Sequence, residues 1–155
     1  MNDGYRGSEE LDQPFRPIRL ASAVDTVVTS IISRADFQNV CESPIELSLM
    51  VALVALAELE FDVLPQVKLA RFRYDFGIAR VGSEKLLALI ECDGRDFHST
   101  PAQLANDQSK NAVARQLNLP LFRFTGSQIF RDRFACAKSV FQFIVDQERR
   151  VAGLV

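Results

Sequence analysis

The order strand, helix, strand over residues 85–126 is the sequence feature that most constrains the fold. KLLALIECD predicts an apolar strand and LPLFRFTG a second strand. Between them, STPAQLANDQSKNAVARQLN predicts a helix, with Thr100 as N-cap and Gln103 completing a capping box. Two strands joined through a helix run parallel as neighbours in one sheet, with a right-handed connection. We therefore expect a sheet with at least one parallel pair and a helix packed on it.

Further helices and a hairpin flank this unit. ESPIELSLMVALVALAELE predicts a helix that begins at Pro44, with Ser43 as N-cap and Glu46 completing a capping box. This helix is apolar nearly all round, which indicates burial. QVKLARFRYDFGIAR predicts one strand, or two, joined to KLLALIECD by the short connection VGSE. An amphipathic helix from about Asp132 to Arg150 closes the chain.

These elements predict an α/β (α+β layered) fold, with a central mixed β-sheet flanked by helices. The length of 155 residues suits one domain. Residues 1–21 are predicted to be a flexible tail, 22–35 an extra helix, and 36–155 the folded domain.

Composition narrows the class of protein. No apolar stretch approaches the roughly 20 residues of a membrane span, and the polar N-terminus lacks the core of a signal peptide, so we expect a cytoplasmic protein without membrane contact. Three cysteines without a CxxC pair and a single histidine exclude a zinc-ligand set. The net charge of −2 disfavours non-specific nucleic-acid binding, although a local basic face would suffice.

Carboxylates end the buried strand, where LLALI runs into Glu91, Cys92 and Asp93. If the VGSE turn centres on Ser83, Asp75 lies opposite Glu91 with Cβ atoms about 5 Å apart; a slip of one residue would put them on opposite faces. Opposed, buried carboxylates repel unless a positive charge lies between them. A hard divalent cation with oxygen ligands meets this need, and Mg²⁺ in such a site predicts phosphodiester cleavage.

These residues resemble the PD-(D/E)XK nuclease superfamily, in the branch similar to very-short-patch-repair endonucleases. The resemblance covers about residues 43–145 and implies a restriction-endonuclease-like core. The matching pieces, in the order the family has them, are Ser43 to Glu46, Arg73-Tyr74-Asp75-Phe76, Glu91-Cys92-Asp93-Gly94 to His98, Asp107 to Lys110, and Arg123-Phe124.

The resemblance implies a metal site. Asp75 and Glu91 are the expected Mg²⁺ ligands, with the backbone carbonyl of Cys92 as a further ligand and Glu46 contributing from the first helix. Mn²⁺ is expected to substitute for Mg²⁺.

One position departs from the family pattern. The catalytic lysine of the superfamily belongs at position 93, where this chain has Asp93. Lys110, from the second helix, and His98, as a general base, are the candidates to replace it. Asp93 is expected to support the metal or its water.

The resemblance implies DNA as the substrate, with RNA left open, and DNA repair or restriction as the role. Arg71, Arg73, Arg95 and Arg115 are the candidate nucleic-acid contacts. A homodimer is a hypothesis, because one domain of this size has little surface left to grip a duplex.

The same residues also have structural explanations. Glu46 could serve only the capping box, and Asp75 could pair with Arg71 or Arg73. Asp93 could belong to an Asp-Gly turn or hold a nearby arginine instead of the metal.

Two residues of the second predicted helix, and the function itself, also have alternative explanations. Asp107 and Lys110 could be a surface ion pair. A nuclease fold that has lost cleavage and binds nucleic acid or a protein partner remains the alternative function. A third hypothesis is hydrolysis of another phosphoester, which the fold alone does not exclude.

Overall fold

The computed structural model describes residues 40–94 and 100–154, which form a four-stranded sheet and three helices. The predicted tail (1–21) and extra helix (22–35) lie outside the described residues. The elements, in chain order, are α1 (Pro44–Ala57), β1 (Phe61–Leu69), β2 (Phe72–Arg80), β3 (Leu86–Asp93), α2 (Pro101–Gln116), β4 (Leu121–Thr125) and α3 (Gly126–Val151).

The sheet is mixed and has the order β1-β2-β3-β4. The pairs β1–β2 and β2–β3 are antiparallel, and β3–β4 is parallel because α2 connects these two strands. The predicted fold class, a mixed sheet flanked by helices, is confirmed.

Capping residues start the helices where the sequence predicts. The Ser43 hydroxyl accepts the backbone N–H of Glu46 at the start of α1. Thr100 and Gln103 form a reciprocal capping box at the start of α2. The final helix begins earlier than predicted, at Gly126, and bends at Asp132. The Asp132 carboxylate accepts the backbone N–H of Ala135 and so caps the long second part of the helix. None of the described helices is long and apolar enough to cross a membrane.

The segment QVKLARFRYDFGIAR contains the end of β1, a tight turn and the whole of β2. β1 begins five residues earlier than predicted, at Phe61, and a two-residue turn at Ala70 and Arg71 leads into β2. Such turns normally carry Asn or Gly, because a positive φ is needed. Ala70 adopts φ 52° without that signal, so the sequence does not reveal the turn.

Helices cover both faces of the sheet. α1 and α3 pack on one face, around Leu49, Phe76, Ile90 and Ile144. α2 covers part of the other face through a smaller cluster of residues that includes Ala114. α1 is buried in the core as predicted, except on one side of the helix, where Val51 and Leu56 are 38% and 36% exposed.

The first two strands change faces along their length, which the alternation of apolar residues does not predict. In β2, Tyr74 packs on the α2 side, whereas Phe76 packs on the side of α1 and α3. β1 makes the same change between Val63 and Val67. In the sequence, Phe72, Tyr74, Phe76 and Ile78 alternate with other residues, which predicts one apolar face along β2, and this prediction is wrong. The changes lie side by side because Pro65 pairs with Phe76 and Val67 with Tyr74.

The register of the β2–β3 hairpin is the one that a turn centred on Ser83 gives. Phe76 pairs with Ile90, and Gly77 pairs with Leu89. The register shifts between Ile78 and Ala79, close to the VGSE turn. The pairs farther from the turn keep the predicted register. The predicted register is therefore confirmed for these pairs, and it places Asp75 and Glu91 one position beyond the last of them.

Candidate active site

Asp75 lies where β2 and β3 part. The hairpin register sets it across from Glu91, one step beyond the last paired residues. Asp75 Oδ2 accepts the backbone N–H of Cys92 at 2.6 Å, so the carboxylate takes the place of a ladder carbonyl. Arg73 pairs instead with a glutamate that precedes α1, and Arg71 lies over the ring of Phe72. The alternative in which Asp75 merely pairs with one of these arginines is therefore wrong.

The electrostatics of Asp75 show a crowded acidic site. Burial raises the pKa of Asp75 to about 7, and the N–H of Cys92 opposes this rise. The carboxylates of Glu91 and Glu46 raise the pKa further, while Lys110 lowers it. Three carboxylates thus lie close enough to interact, and a cation among them would relieve their repulsion.

Asp75→Asn is expected to remove a pH dependence of stability. An unfolded Asp75 releases its proton near pH 3.8 and the folded one near pH 7, so the native state binds the extra proton between these values. The free energy of unfolding in EDTA should therefore fall as pH rises from about 4 to about 7, by at most about 4 kcal/mol, and level off above. The variant keeps an acceptor for Cys92 and loses this slope. Urea unfolding of both proteins at a series of pH values measures it, and equal slopes would contradict the assignment.

Lys110 contacts the second carboxylate directly. Its Nζ donates to both oxygens of Glu91, at 2.8 and 2.9 Å, and the two side chains are only 14% and 8% exposed. Tyr74 holds α2 in place, because its hydroxyl donates to the carbonyl of Lys110 and its ring centre lies 5.4 Å from Nζ. Burial raises the pKa of Glu91, and Lys110 opposes that rise. The alternative of a surface pair between Asp107 and Lys110 is wrong.

Asp93 pairs with an arginine of the neighbouring strand. Arg123 NH1 lies 3.3 Å from Asp93 Oδ1 and 3.5 Å from Asp107 Oδ1. Its Nε donates to the side chain of Asn111 at 3.4 Å. The carboxylate at position 93 therefore has a structural partner, and the nearby ammonium group is supplied from α2 by Lys110.

Glu46 both caps α1 and reaches the site. The carboxylate is 7% exposed and accepts from the backbone of Glu42 and from the Ser43 hydroxyl. It also accepts from Nε2 of Gln66, at 3.3 Å. Gln66 is not predicted from the sequence. The sequence does contain a signal, because Gln66 is a polar residue within the mostly apolar stretch FDVLPQV. A strand predicted to begin at Gln66 leaves out the apolar residues before it and so hides this signal.

The remaining candidates lie outside the site or outside the described residues. Arg95 and His98 belong to the second group. Arg71 and Arg73 are exposed on or beside β2. Arg115 donates to a main-chain carbonyl of α2 and lines a cavity beside the start of β3, whereas the carboxylates lie at the end of that strand. Contacts of these residues with nucleic acid stay predictions.

The donor atoms suit a hydrated divalent cation. Within residues 40–94 and 100–154, no three His, Cys, Asp or Glu side chains form a metal-ligand cluster by themselves. Mg²⁺ does not require one, since it usually takes one or two carboxylates and keeps several waters. Asp75 and Glu91, with the carbonyl of Cys92, could supply such a small oxygen set. A carboxylate has about four lone-pair positions, so Glu91 retains acceptor capacity beside Lys110.

Comparison with known proteins identifies the family. No curated protein and no solved structure matches the chain. Residues 51–144, more than half of the chain, match the restriction-endonuclease-like family REase_MTES_1575. The match spans the whole sheet and the strands and helix that carry Asp75, Glu91 and Lys110, and the chain belongs to this nuclease family.

Proposed function

We propose that the protein is a Mg²⁺-dependent endonuclease that hydrolyses phosphodiester bonds in DNA. The observation that carries this proposal is the meeting of Asp75, Glu91 and Lys110, which come from three different elements and are largely withdrawn from solvent. Two carboxylates for a cation and one ammonium group for a phosphate are the parts that such hydrolysis needs. Membership of the family supports nuclease chemistry. DNA repair and restriction both remain candidate roles.

The carboxylates would hold the cation. Asp75 and Glu91, with the backbone carbonyl of Cys92, are the proposed ligands of Mg²⁺ or of Mn²⁺ in its place. The bound ion supplies charge stabilisation at the phosphate and a water of lowered pKa. Because the N–H of Cys92 occupies Asp75 Oδ2, we assign the other oxygen, Oδ1, to the cation.

Lys110 would act on the substrate. Its ammonium group has three N–H donors, and Glu91 takes two of them. We assign the third to a non-bridging oxygen of the scissile phosphate, where negative charge develops. In this arrangement Lys110 replaces the lysine that the superfamily carries at position 93, and His98 remains the predicted general base.

The cellular compartment of the protein is also a proposal. Cys41, Cys92 and Cys136 are free thiols, which a reducing compartment favours, so we place the protein in the cytoplasm. Among the basic residues predicted from the sequence, Arg71, Arg73 and Arg115 would contact the DNA backbone away from the acidic site.

Nuclease assays on the full chain test the function. We expect Mg²⁺ to support nicking of supercoiled plasmid with 5′-phosphate ends, and EDTA to abolish it. Glu84→Gln, which alters an exposed carboxylate in the VGSE connection, should cleave like the wild type. RNA and a nucleotide phosphodiester are run in parallel. Cleavage of these alone would contradict DNA as the substrate, and DNA binding without cleavage in either ion would support the non-cleaving alternative.

A further inference from the structure

Gln66 has a buried amide, one end of which has no partner among residues 40–94 and 100–154. The residue is 7% exposed, and its Nε2 donates to Glu46 Oε2. Only the NH₂ end of an amide can donate to a carboxylate, so this contact fixes which way the amide points. Within the described part of the chain no group donates to the other end, Oε1, which is also buried. Such atoms in native proteins are normally satisfied, by bound water or an ion if not by protein.

The position of Gln66 ties it to the acidic site. Its neighbours in β1, Pro65 and Val67, pair with Phe76 and Tyr74, so the register of the flanking pairs places Gln66 opposite Asp75. The bonded neighbour of Gln66, Glu46, is itself buried, with 7% of its surface exposed. Gln66 is therefore bonded to one buried carboxylate and lies, by register, opposite the residue that carries another.

The backbone at Gln66 is held in an uncommon conformation. Its φ is 53°, in the left-handed region that residues with a side chain rarely adopt. The other described non-glycine residues with positive φ (Glu58, Ala70 and Asn118) lie at helix ends or in a turn, whereas Gln66 lies inside a strand. Outliers of this kind persist only where the surrounding structure holds them, and they concentrate at functional sites.

We propose that Gln66 is a positioning residue of the cation site. Its Nε2 holds the Glu46 carboxylate, and its Oε1 accepts a hydrogen bond from a water in the hydration shell of the divalent cation at Asp75 and Glu91. This inference rests on the proposed function. Mg²⁺ keeps several waters, and groups that hold such outer atoms tune its binding. A neutral amide oxygen supplies an acceptor without adding a fourth negative charge to the site.

Three variants separate this role from a purely structural one. Gln66→Met keeps the length of the side chain and removes both the donor and the acceptor. Gln66→Glu keeps an oxygen but sets a carboxylate against Glu46. The exchange variant, Glu46→Gln with Gln66→Glu, returns one amide–carboxylate contact to the pair. Its rescue is expected to be partial, because an amide at position 46 loses an acceptor for the backbone N–H of Glu42.

Calorimetric titration of Mg²⁺ and Mn²⁺ into each full-length protein gives the affinity, and thermal unfolding in EDTA gives the metal-free stability. We expect Gln66→Met and Gln66→Glu to weaken Mg²⁺ binding by about 10–100-fold, and the exchange variant to bind more tightly than Gln66→Glu. A structural role would lower the stability in EDTA without changing the affinity of the folded protein.

The outcomes distinguish this inference from the proposed function. Equal affinities in the wild type and Gln66→Met would overturn the role of Gln66 and leave the cation site standing. A wild type that binds neither ion would overturn both. If Gln66→Met does not fold, the comparison of Gln66→Glu with the exchange variant decides, and no gain in affinity on exchange would overturn the inference.

Discussion

Lys110→Met is expected to lower the rate of DNA cleavage by about 10²–10⁴-fold and the free energy of unfolding by about 3 kcal/mol. The Lys110 ammonium group contacts both oxygens of a carboxylate that is 8% exposed at its side chain. Without it, Glu91 is a buried charge that has lost its partner, and the scissile phosphate loses a donor. Plasmid-nicking rates and urea unfolding measure the two effects.

Two further variants show whether the effects have these causes. Lys110→Met combined with Glu91→Gln should recover most of the stability, because the uncompensated charge is gone, but none of the activity. Lys138→Met, which changes an exposed lysine of α3, should alter neither quantity. If Lys110→Met cleaves DNA at the wild-type rate, Lys110 serves only the stability of Glu91.

Glu91→Gln is expected to reduce cleavage to background, whereas Asp93→Asn is expected to retain activity. The reason is the different surroundings of the two carboxylates. Glu91 is buried beside Lys110 and Asp75, while Asp93 pairs with Arg123, and these two side chains are 39% and 23% exposed. Loss of a partly exposed pair should cost less than about 1 kcal/mol of stability.

The comparison of these two variants decides which carboxylate belongs to the site. Cleavage rates at saturating Mg²⁺, measured on proteins shown to be folded, provide the readout. Loss of activity in Asp93→Asn with retention in Glu91→Gln would reverse the assignment. Equal loss in both would support the expectation that Asp93 supports the metal or its water.

The sequence predicts the parts of the fold that local rules determine. The caps at Ser43 and Thr100 depend on residues three positions apart, and the parallel pair of strands follows from the intervening helix. The turn at Ala70 is missed because an alanine with positive φ carries no turn signal. The change of face in β1 and β2 is missed because it depends on two neighbouring strands together, and alternation within one strand does not contain it.

The candidate site also contains features that the sequence predicts and features that it does not. The alignment of Asp75 with Glu91 is predicted because a hairpin turn fixes its own register. Lys110 is one of two candidates in the sequence, and only the packing of α2 shows that it contacts Glu91. The contact of Gln66 with Glu46 joins residues twenty positions apart in different elements, so no spacing rule reaches it.

Calorimetric titration of Mg²⁺ and Mn²⁺ into the wild type and into Glu91→Gln tests the cation site most directly. The titration is best made near pH 8, where Asp75, with a pKa of about 7, is ionised. The account predicts binding of both ions to the wild type and loss of that binding in the variant. No binding of either ion to the folded wild type, or undiminished binding to Glu91→Gln, would contradict it.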